Sequence, residues 1–229
     1  MIDPSEFIEV VKNRHCMRSF LDREVDRQIL DVVLESATHA ASSKNSQPWQ
    51  VKVLSGDVCR ALSAKLCGLF DEGVVEQPDY VYMTEPMPDI FKQRARSCGY
   101  GLFDLKGIKK DDYEARKLHN RENFEFFGAP VMMLFHLHEG AQSGNFMDLG
   151  LFLQNVMLGL VAYGLGSCPQ FSLTSYSKCI KSWVGIDQKR VFVCGLSVGY
   201  PDVSAEVNCY IPSRVPLSEV VDWVEALSE

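Results

Sequence analysis

Along this chain apolar positions recur at two different intervals, and the interval changes where the local structure should change. Spacings of three and four residues mark helical faces. They predict a short helix over Pro4–Lys12 with Phe7, Ile8 and Val11 on one side. Asp26 is a natural N-cap for a second helix carrying Ile29, Leu30, Val33, Leu34, Ala37 and Ala40. Val58, Leu62, Leu66 and Leu69 predict a third over Gly56–Phe70. Two charge-rich helices are expected over Ile90–Leu105 and Asp112–Asn123, a short one over Ser172–Val184 and a last one over Leu217–Leu227. The run Phe146–Leu165 is apolar almost all round and predicts a helix buried in a core or a subunit interface. Three stretches read as strands: Trp49–Leu54, and the continuous apolar runs Pro130–His138 and Val191–Val198. These strands lie far apart and do not alternate regularly with helices, which excludes a doubly wound sheet and predicts an α+β layered fold. No repeat or linker divides the chain, so residues 1–229 are expected to form a single domain.

Two stretches have no clean period. One is R-H-C-M-R-S-F at 14–20. The other, 71–88, combines Asp, Glu and Gly with three prolines and two tyrosines, and is expected to be a covering loop.

Composition narrows the classes. Hydrophobic residues make up 46% of 229, enough for a sizeable core. A net charge of -7 argues against a nucleic-acid surface. The eight cysteines are scattered, with no CxxC pair, and the start M-I-D-P-S-E-F has no basic region leading into an apolar run. Reduced thiols in a cytoplasmic protein are therefore expected. Asp148, Gln154 and Asn155 interrupt the most apolar stretch, so no membrane span is expected.

The candidate chemistry is dispersed. Arg14 and Arg18 bracket His15 and Cys16, and Arg214 stands in P-S-R-V-P between two prolines. Arginine suits planar, bidentate capture of phosphate or carboxylate, although loop arginines more often serve solvation alone. The basic surroundings of Cys16 also fit a lowered thiol pKa and a thiol nucleophile. The turn S-S-K-N-S-Q-P-W (42–49) offers hydroxyls and amides that suit a neutral ligand with many polar edges. The bland reading is a helix C-terminal turn with Asn45 left-handed and Trp49 as a core anchor. Gly164 and Gly166 in Y-G-L-G-S-C-P-Q-F permit close backbone approach, and Ser167–Pro169 should be extended. Neither a dinucleotide fingerprint nor a P-loop is present. His136 and His138 could ligate zinc, but with no further His/Cys spacing they read better as a strand end, and no metal is expected.

Taken in order, R-H-C-M-R-S-F, A-S-S-K-N-S-Q-P-W, F-F-G-A-P-V, G-L-G-S-C-P-Q, V-G-Y-P and P-S-R-V-P resemble the FMN-dependent nitroreductase family over almost the whole chain. The resemblance implies an α+β fold with a central, mostly antiparallel sheet surrounded by helices. It implies an intertwined homodimer with FMN at the subunit interface, and NADH or NADPH as electron donor. Two electrons would pass by a ping-pong mechanism to a nitroaromatic or quinone acceptor, with no catalytic side chain required. Same-fold alternatives are reductive dehalogenation, enal reduction or flavin binding with little turnover. The resemblance assigns Arg14 and Arg214 to the FMN phosphate and Arg18 to the N1 and O2 edge, with Ser213 also binding the cofactor. His15 and Cys16 would contribute mainly backbone. Ser42, Ser43, Asn45 and Gln47 would reach in from the other subunit, and Cys168, Pro169 and Gln170 would lie along the ring. Residues 71–123, which match the family least, would cover the substrate pocket. Phe124, Phe126 and Phe127 would form an aromatic wall, with Phe124 and Phe127 touching substrate, or, at least as readily, ordinary core packing. Cys16 stands where the family usually has serine, and Pro212 where some members have lysine.

Overall fold

The computed structural model describes residues 3–83 and 85–225. Strands β1 (Gln50–Ser55), β2 (Val131–Leu137), β3 (Gly166–Gln170) and β4 (Val191–Gly199) form one sheet in the order β1-β2-β4-β3. Every neighbouring pair is antiparallel. The inner strands β2 and β4 are buried almost throughout, which is why both read as unbroken apolar runs rather than as alternation.

The two-residue period of β2 divides its side chains between two cores. Val131, Met133, Phe135 and Leu137 join Leu30 and Val33 of α2 (Arg27–Ala37) and Leu149, Phe152, Val156 and Leu160 of α6 (Ser143–Ala162). Met132 and Leu134 face the other way, toward Leu62 and Leu66 of α3 (Gly56–Asp71) and Ile180 of α7 (Ser177–Val184). The expected α+β fold is therefore present, with helices on both faces of the sheet. Asp26 caps α2 as expected, its carboxylate accepting from the Gln28 N–H at 2.8 Å.

The sequence pattern and the structure differ at several elements. Ser167–Pro169, expected only to be extended, belongs to the edge strand β3. The long apolar helix starts and ends three residues earlier than its periodicity suggests. Gln142 and Asn145 form a reciprocal capping box at its start, and Gly164 turns left-handed (φ +70) just after its end. By length and composition α6 would suffice to cross a bilayer, but it buries Asp148 and six apolar residues inside the protein. The short helix at 172–184 is a 3-10 segment, Phe171–Tyr176, followed by α7. The helix expected over Leu217–Leu227 is only a 3-10 turn at Leu217–Glu219. Residues 220–225 are not helical, and 226–227 lie outside the described residues.

Two helices form an outer layer. Leu102 is the one buried residue of α4 (Asp89–Leu105), and α5 (Tyr113–Arg121) has none. The preceding irregular stretch is pinned rather than loose. The Lys181 ammonium, 2% exposed, donates to the Asp79 carboxylate at 2.8 and 2.9 Å and to the carbonyls of Gln188 and Arg190. Asp79 also accepts from the Phe192 N–H, and the Tyr80 hydroxyl donates to the Val193 carbonyl, both at 2.8 Å. Both ions thus have the added hydrogen bonds that a buried pair needs.

His136 marks the irregularity between β2 and β4. It is buried, and its Nδ1 accepts from Arg190 Nε at 2.7 Å. Burial, with the positive charges of Arg190 and Lys52, pushes its pKa down to about 4. In the unfolded chain it titrates near ~6.5. Between these values the unfolded chain takes up a proton that the folded protein refuses. Stability from this residue is therefore complete above pH ~6.5 and is lost as the pH falls toward 4. Replacing His136 with Gln should flatten the pH dependence of unfolding free energy in that window, by up to about 3 kcal/mol. Chemical denaturation at stepped pH checks this, and an unchanged slope would refute it.

Candidate functional site

Residues 14–21 run as an extended thread along the edge strand β3 and the turn at Tyr200–Pro201. Cys16 forms a parallel bridge with Ser167 of β3, and the Met17 N–H donates to the Ser167 carbonyl at 3.0 Å. The thread can lie this close because position 166 is glycine. A Cβ there would stand 2.5 Å from Met17 Cγ. Further on, Phe20 bridges Pro201, and the Leu21 N–H donates to the Tyr200 carbonyl at 2.9 Å.

A buried asparagine completes the clamp. Asn208 Oδ1 accepts from the Arg18 N–H at 2.6 Å, and its Nδ2 donates to the carbonyls of Ser19 (2.7 Å) and Asp202 (2.9 Å). The His15 ring lies between the carbonyls of Asn208 (2.8 Å) and Asn13 (2.7 Å), turned away from a role as base to Cys16. Nothing in the periodic pattern of the sequence singled out Asn208.

The clamp holds two cations that have no acid. Among the described residues no ion pair involves Arg14 or Arg18. Both are half-buried and both act on Cys16. A hydrogen bond from the Cys168 thiol lowers the Cys16 pKa, with help from Arg18 and Arg14, against the opposing effect of burial. Cys168 is raised, because it gives that hydrogen bond and is buried. Such an arrangement favours negative charge on or beside Cys16.

The turn at 42–47 is held elsewhere, on α6. The Ser43 N–H donates to Asp148 Oδ1 at 3.1 Å, while Asp148 Oδ2 is buried without a partner among the described residues. Ser42 Oγ accepts from the Gln47 N–H at 3.1 Å, and Trp49 stacks on Phe152 with centroids 4.9 Å apart. Lys44, Asn45 and Gln47 are all left-handed, with φ of 53, 55 and 46. Asn45 was expected to be so. Two further non-glycine residues in this region store backbone strain, at roughly 1–3 kcal/mol each. The side chains of Ser43, Asn45 and Gln47 are exposed. The lone acid in the apolar run of α6 was the sequence signal for this anchor.

Other expected site residues are distributed as follows. Pro169 is half-buried on β3 beside Cys168. Gln170 is buried, its carboxamide donating to the Asn123 carbonyl at 2.6 Å and accepting from the Ser197 hydroxyl. Ser213 and Arg214 are exposed against α4, with Gln93, Arg94 and Ser97 across a cavity of about 500 Å³. Arg214 donates to the carbonyls of Pro212 and Ser213. Phe124, Phe126 and Phe127 are core residues rather than an open wall. Phe124 packs on Phe70 and Tyr176, and Phe126 is 1% exposed. The histidines are dispersed: His136 meets Arg190, His138 the Glu139 carbonyl, and His119 the Phe103 ring.

A second cavity, of about 490 Å³, lies between α6 and the irregular stretch. Tyr80, Tyr82, Phe146, Leu153 and Phe171 line it. Tyr82 stacks on Phe171 at 4.3 Å, and Tyr80 meets Phe146 at 4.8 Å.

Comparison with known proteins bears on this arrangement. A model of the nitroreductase family matches residues 11–200. The chain belongs to the nitroreductase family. It is 34% identical over 203 residues to a 4-nitrobenzoate reductase of Pseudomonas putida, covering 89% of this chain and 88% of the relative. Its fold superposes on the FMN- and NADPH-dependent nitroreductase NfnB of Sphigopyxis sp. strain HMH with a TM-score of 0.91 and 34% identity, covering 95% and 98% of the two chains. The NfnB of Mycobacterium smegmatis, solved in complex with NADPH, gives 0.92 and 30%, covering 96% and 99%. Within the nitroreductase match lie the thread, the strained turn and β3, whereas the Arg214 segment lies beyond it.

Truncating Asn208 to Ala removes three side-chain hydrogen bonds at buried or half-buried groups. At about 1 kcal/mol each, the loss of stability should be about 2–4 kcal/mol. Thermal or urea unfolding reads this out, and a change below about 0.5 kcal/mol would show that the clamp does not hold the thread.

Proposed function

We propose that this nitroreductase-family chain binds FMN between two copies, takes hydride from NADPH or NADH, and reduces a nitroaromatic or quinone acceptor by a ping-pong mechanism. The observation that carries the reading is the pair Arg14 and Arg18, held on the thread beside β3 with no carboxylate partner for either among the described residues. An unpaired, half-buried guanidinium pair fits a ligand that brings its own negative charge. When bound, FMN supplies the hydride acceptance and two-electron delivery that no side chain can perform.

The chain's own residues supply orientation and charge. Arg14, with Ser213 and Arg214, would hold the phosphate end. Arg18 sets a fixed positive charge beside the pyrimidine edge, where it favours the reduced, more negative form. The backbone at His15 and Cys16 and the strand residues Cys168, Pro169 and Gln170 form the surface on which the ring lies. Gln170 acts through its main chain, since its side chain is already engaged. The Ser42–Gln47 turn, pre-shaped by its left-handed residues, presents Ser42, Ser43, Asn45 and Gln47 to the cofactor held by the other copy. Residues 71–123 cover the acceptor pocket. The free state of all eight cysteines supports a reducing, cytoplasmic setting.

Uncovered apolar faces support the two-copy assembly. Helix α1 (Pro4–Asn13) buries no residue, and Phe7, Ile8 and Val11 are exposed. Met147 and Leu151 are exposed on α6, and Leu217, Val220, Trp223 and Val224 on the C-terminal segment. Exposed apolar side chains gathered on single elements in this way fit a protein interaction surface. Light scattering coupled to gel filtration should give twice the chain mass, and a monomer would remove the shared site.

The purified protein should show flavin absorption bands that bleach on anaerobic NADPH or NADH and return when 4-nitrobenzoate is added. Arg14→Ala should weaken FMN retention by about 10- to 100-fold, the worth of a charge-assisted hydrogen bond. A colourless protein that also refuses added FMN would overturn the reading.

A further inference from the structure

The charge-rich helix α4 and the chain from Tyr210 onward enclose a cavity of about 500 Å³ that is lined by two arginines and by no carboxylate. Arg94 and Ser97 reach it from α4, and Ser213 and Arg214 from the opposite wall. The two walls are docked on each other. Gly101 of α4 meets Tyr210 so closely that a Cβ there would stand 2.3 Å from the Tyr210 hydroxyl oxygen. Arg94, Ser97 and Gly101 follow one another at intervals of three and four, so they share one face of the helix. The Gly101 contact therefore turns Arg94 and Ser97 toward the segment that carries Arg214. The same segment is tied to the arginine thread just upstream, where the Asn208 carbonyl lies 2.8 Å from the His15 ring.

Neither arginine is neutralised by a buried acid. Arg214 donates to uncharged groups, the carbonyls of Pro212 at 2.7 Å and Ser213 at 3.3 Å. Arg94 pairs with Glu219 at 2.9 Å, in a pair open to solvent, with the Arg94 side chain 38% and the Glu219 side chain 48% exposed. Exposed pairs of this kind hold weakly. The hydroxyls of Ser97 and Ser213 add uncharged donors to the two walls.

We propose that Arg94 is a phosphate ligand of the bound cofactor, exchanging the Glu219 carboxylate for the FMN phosphate that Arg214 holds from the facing wall. The inference rests on the FMN reading, and adds to it a residue of the outer layer and a change of ion-pair partner. A phosphate monoester brings about 1.5 to 2 negative charges at neutral pH and three acceptor oxygens. A carboxylate brings one charge and two oxygens. Guanidinium forks on facing walls can grip the phosphate from both sides, and a carboxylate on an exposed 3-10 turn cannot match that. Glu219 occupies Arg94 until the cofactor arrives and then yields it. Because Glu219 belongs to the Leu217–Glu219 turn, the exchange also frees the C-terminal segment, with its exposed Leu217, Val220 and Trp223, from its ion pair with α4.

The test uses the full chain, stripped of flavin and titrated with FMN and with riboflavin, which lacks the phosphate. Binding is read from the quenching of flavin fluorescence. In Arg94→Gln the affinity for FMN should fall about ten-fold or more, the worth of a charge-assisted hydrogen bond, while riboflavin binds as before. In Glu219→Gln the competing carboxylate is gone, and FMN should bind about two- to five-fold tighter. Both substitutions break the same ion pair, so a purely structural role for that pair would make them act alike. The proposal is overturned if the two variants weaken FMN and riboflavin equally. It is also overturned if the loss in Arg94→Gln appears instead as a lost preference for NADPH over NADH, which would give Arg94 to the 2′-phosphate of the nicotinamide cofactor. Wild-type FMN affinity in Arg94→Gln overturns this inference alone, whereas a wild-type chain that binds neither flavin overturns the FMN reading and this inference with it.

Discussion

The site depends on one buried carboxamide. Asn208 ties the Arg18 amide, the Ser19 carbonyl and the Asp202 carbonyl to a single side chain, and its own carbonyl meets His15. Without it the thread from Arg14 to Leu21 would be held to β3 and the Tyr200 turn by a few isolated bonds. Arg14 and Arg18, with no acidic partner among the described residues, add no ion pair that would hold such a segment in place. The clamp holds them in place, and the absence of Cβ at Gly166 sets how closely they approach the strand.

The strained turn follows the same logic with different materials. Lys44, Asn45 and Gln47 adopt conformations that L residues disfavour, and α6 supplies the restraint through Asp148 and the Trp49–Phe152 stack. A single apolar helix thereby serves the core and also fixes the polar turn that projects from it. Arg14, Cys16, Arg18 and Cys168 gather within one chain. The turn is joined to that group by no hydrogen bond or ion pair among the described residues.

Most of the fold could be read from periodicity, because most of it depends on burial. The helices at α1 to α6 and the strands β1, β2 and β4 declared themselves through apolar spacing. Strand β3 did not, since five residues containing Gly and Pro carry too little pattern, and its place was set by pairing with β4. The expected C-terminal helix had the spacing but no surface to pack on, and a short isolated helix is marginal in water. The arginines, the polar turn and the G-L-G-S-C-P stretch were visible as motifs, and their order pointed to the family. Asn208 was not, because a lone asparagine in E-V-N-C looks like any turn until its partners, distant in sequence, are known. Whether Phe124, Phe126 and Phe127 form a wall or a core was left open by the sequence, because aromatic residues leave the same trace in a core as at a pocket.

The separation of the clamp from the segment it holds has a consequence for synthesis. Arg18 and Asn208 are 190 residues apart. A nascent chain presents the arginine segment at the outset and its partner near the end. At typical rates of roughly 5–20 residues per second, the cations wait about 10–40 s before the asparagine exists. The inner strand β4 also finishes late, so its pairings with β2 and β3 cannot form earlier. The fixing of the arginine thread is thus among the last events in the life of the growing polypeptide, and a chain released early would carry the charges without the means to aim them.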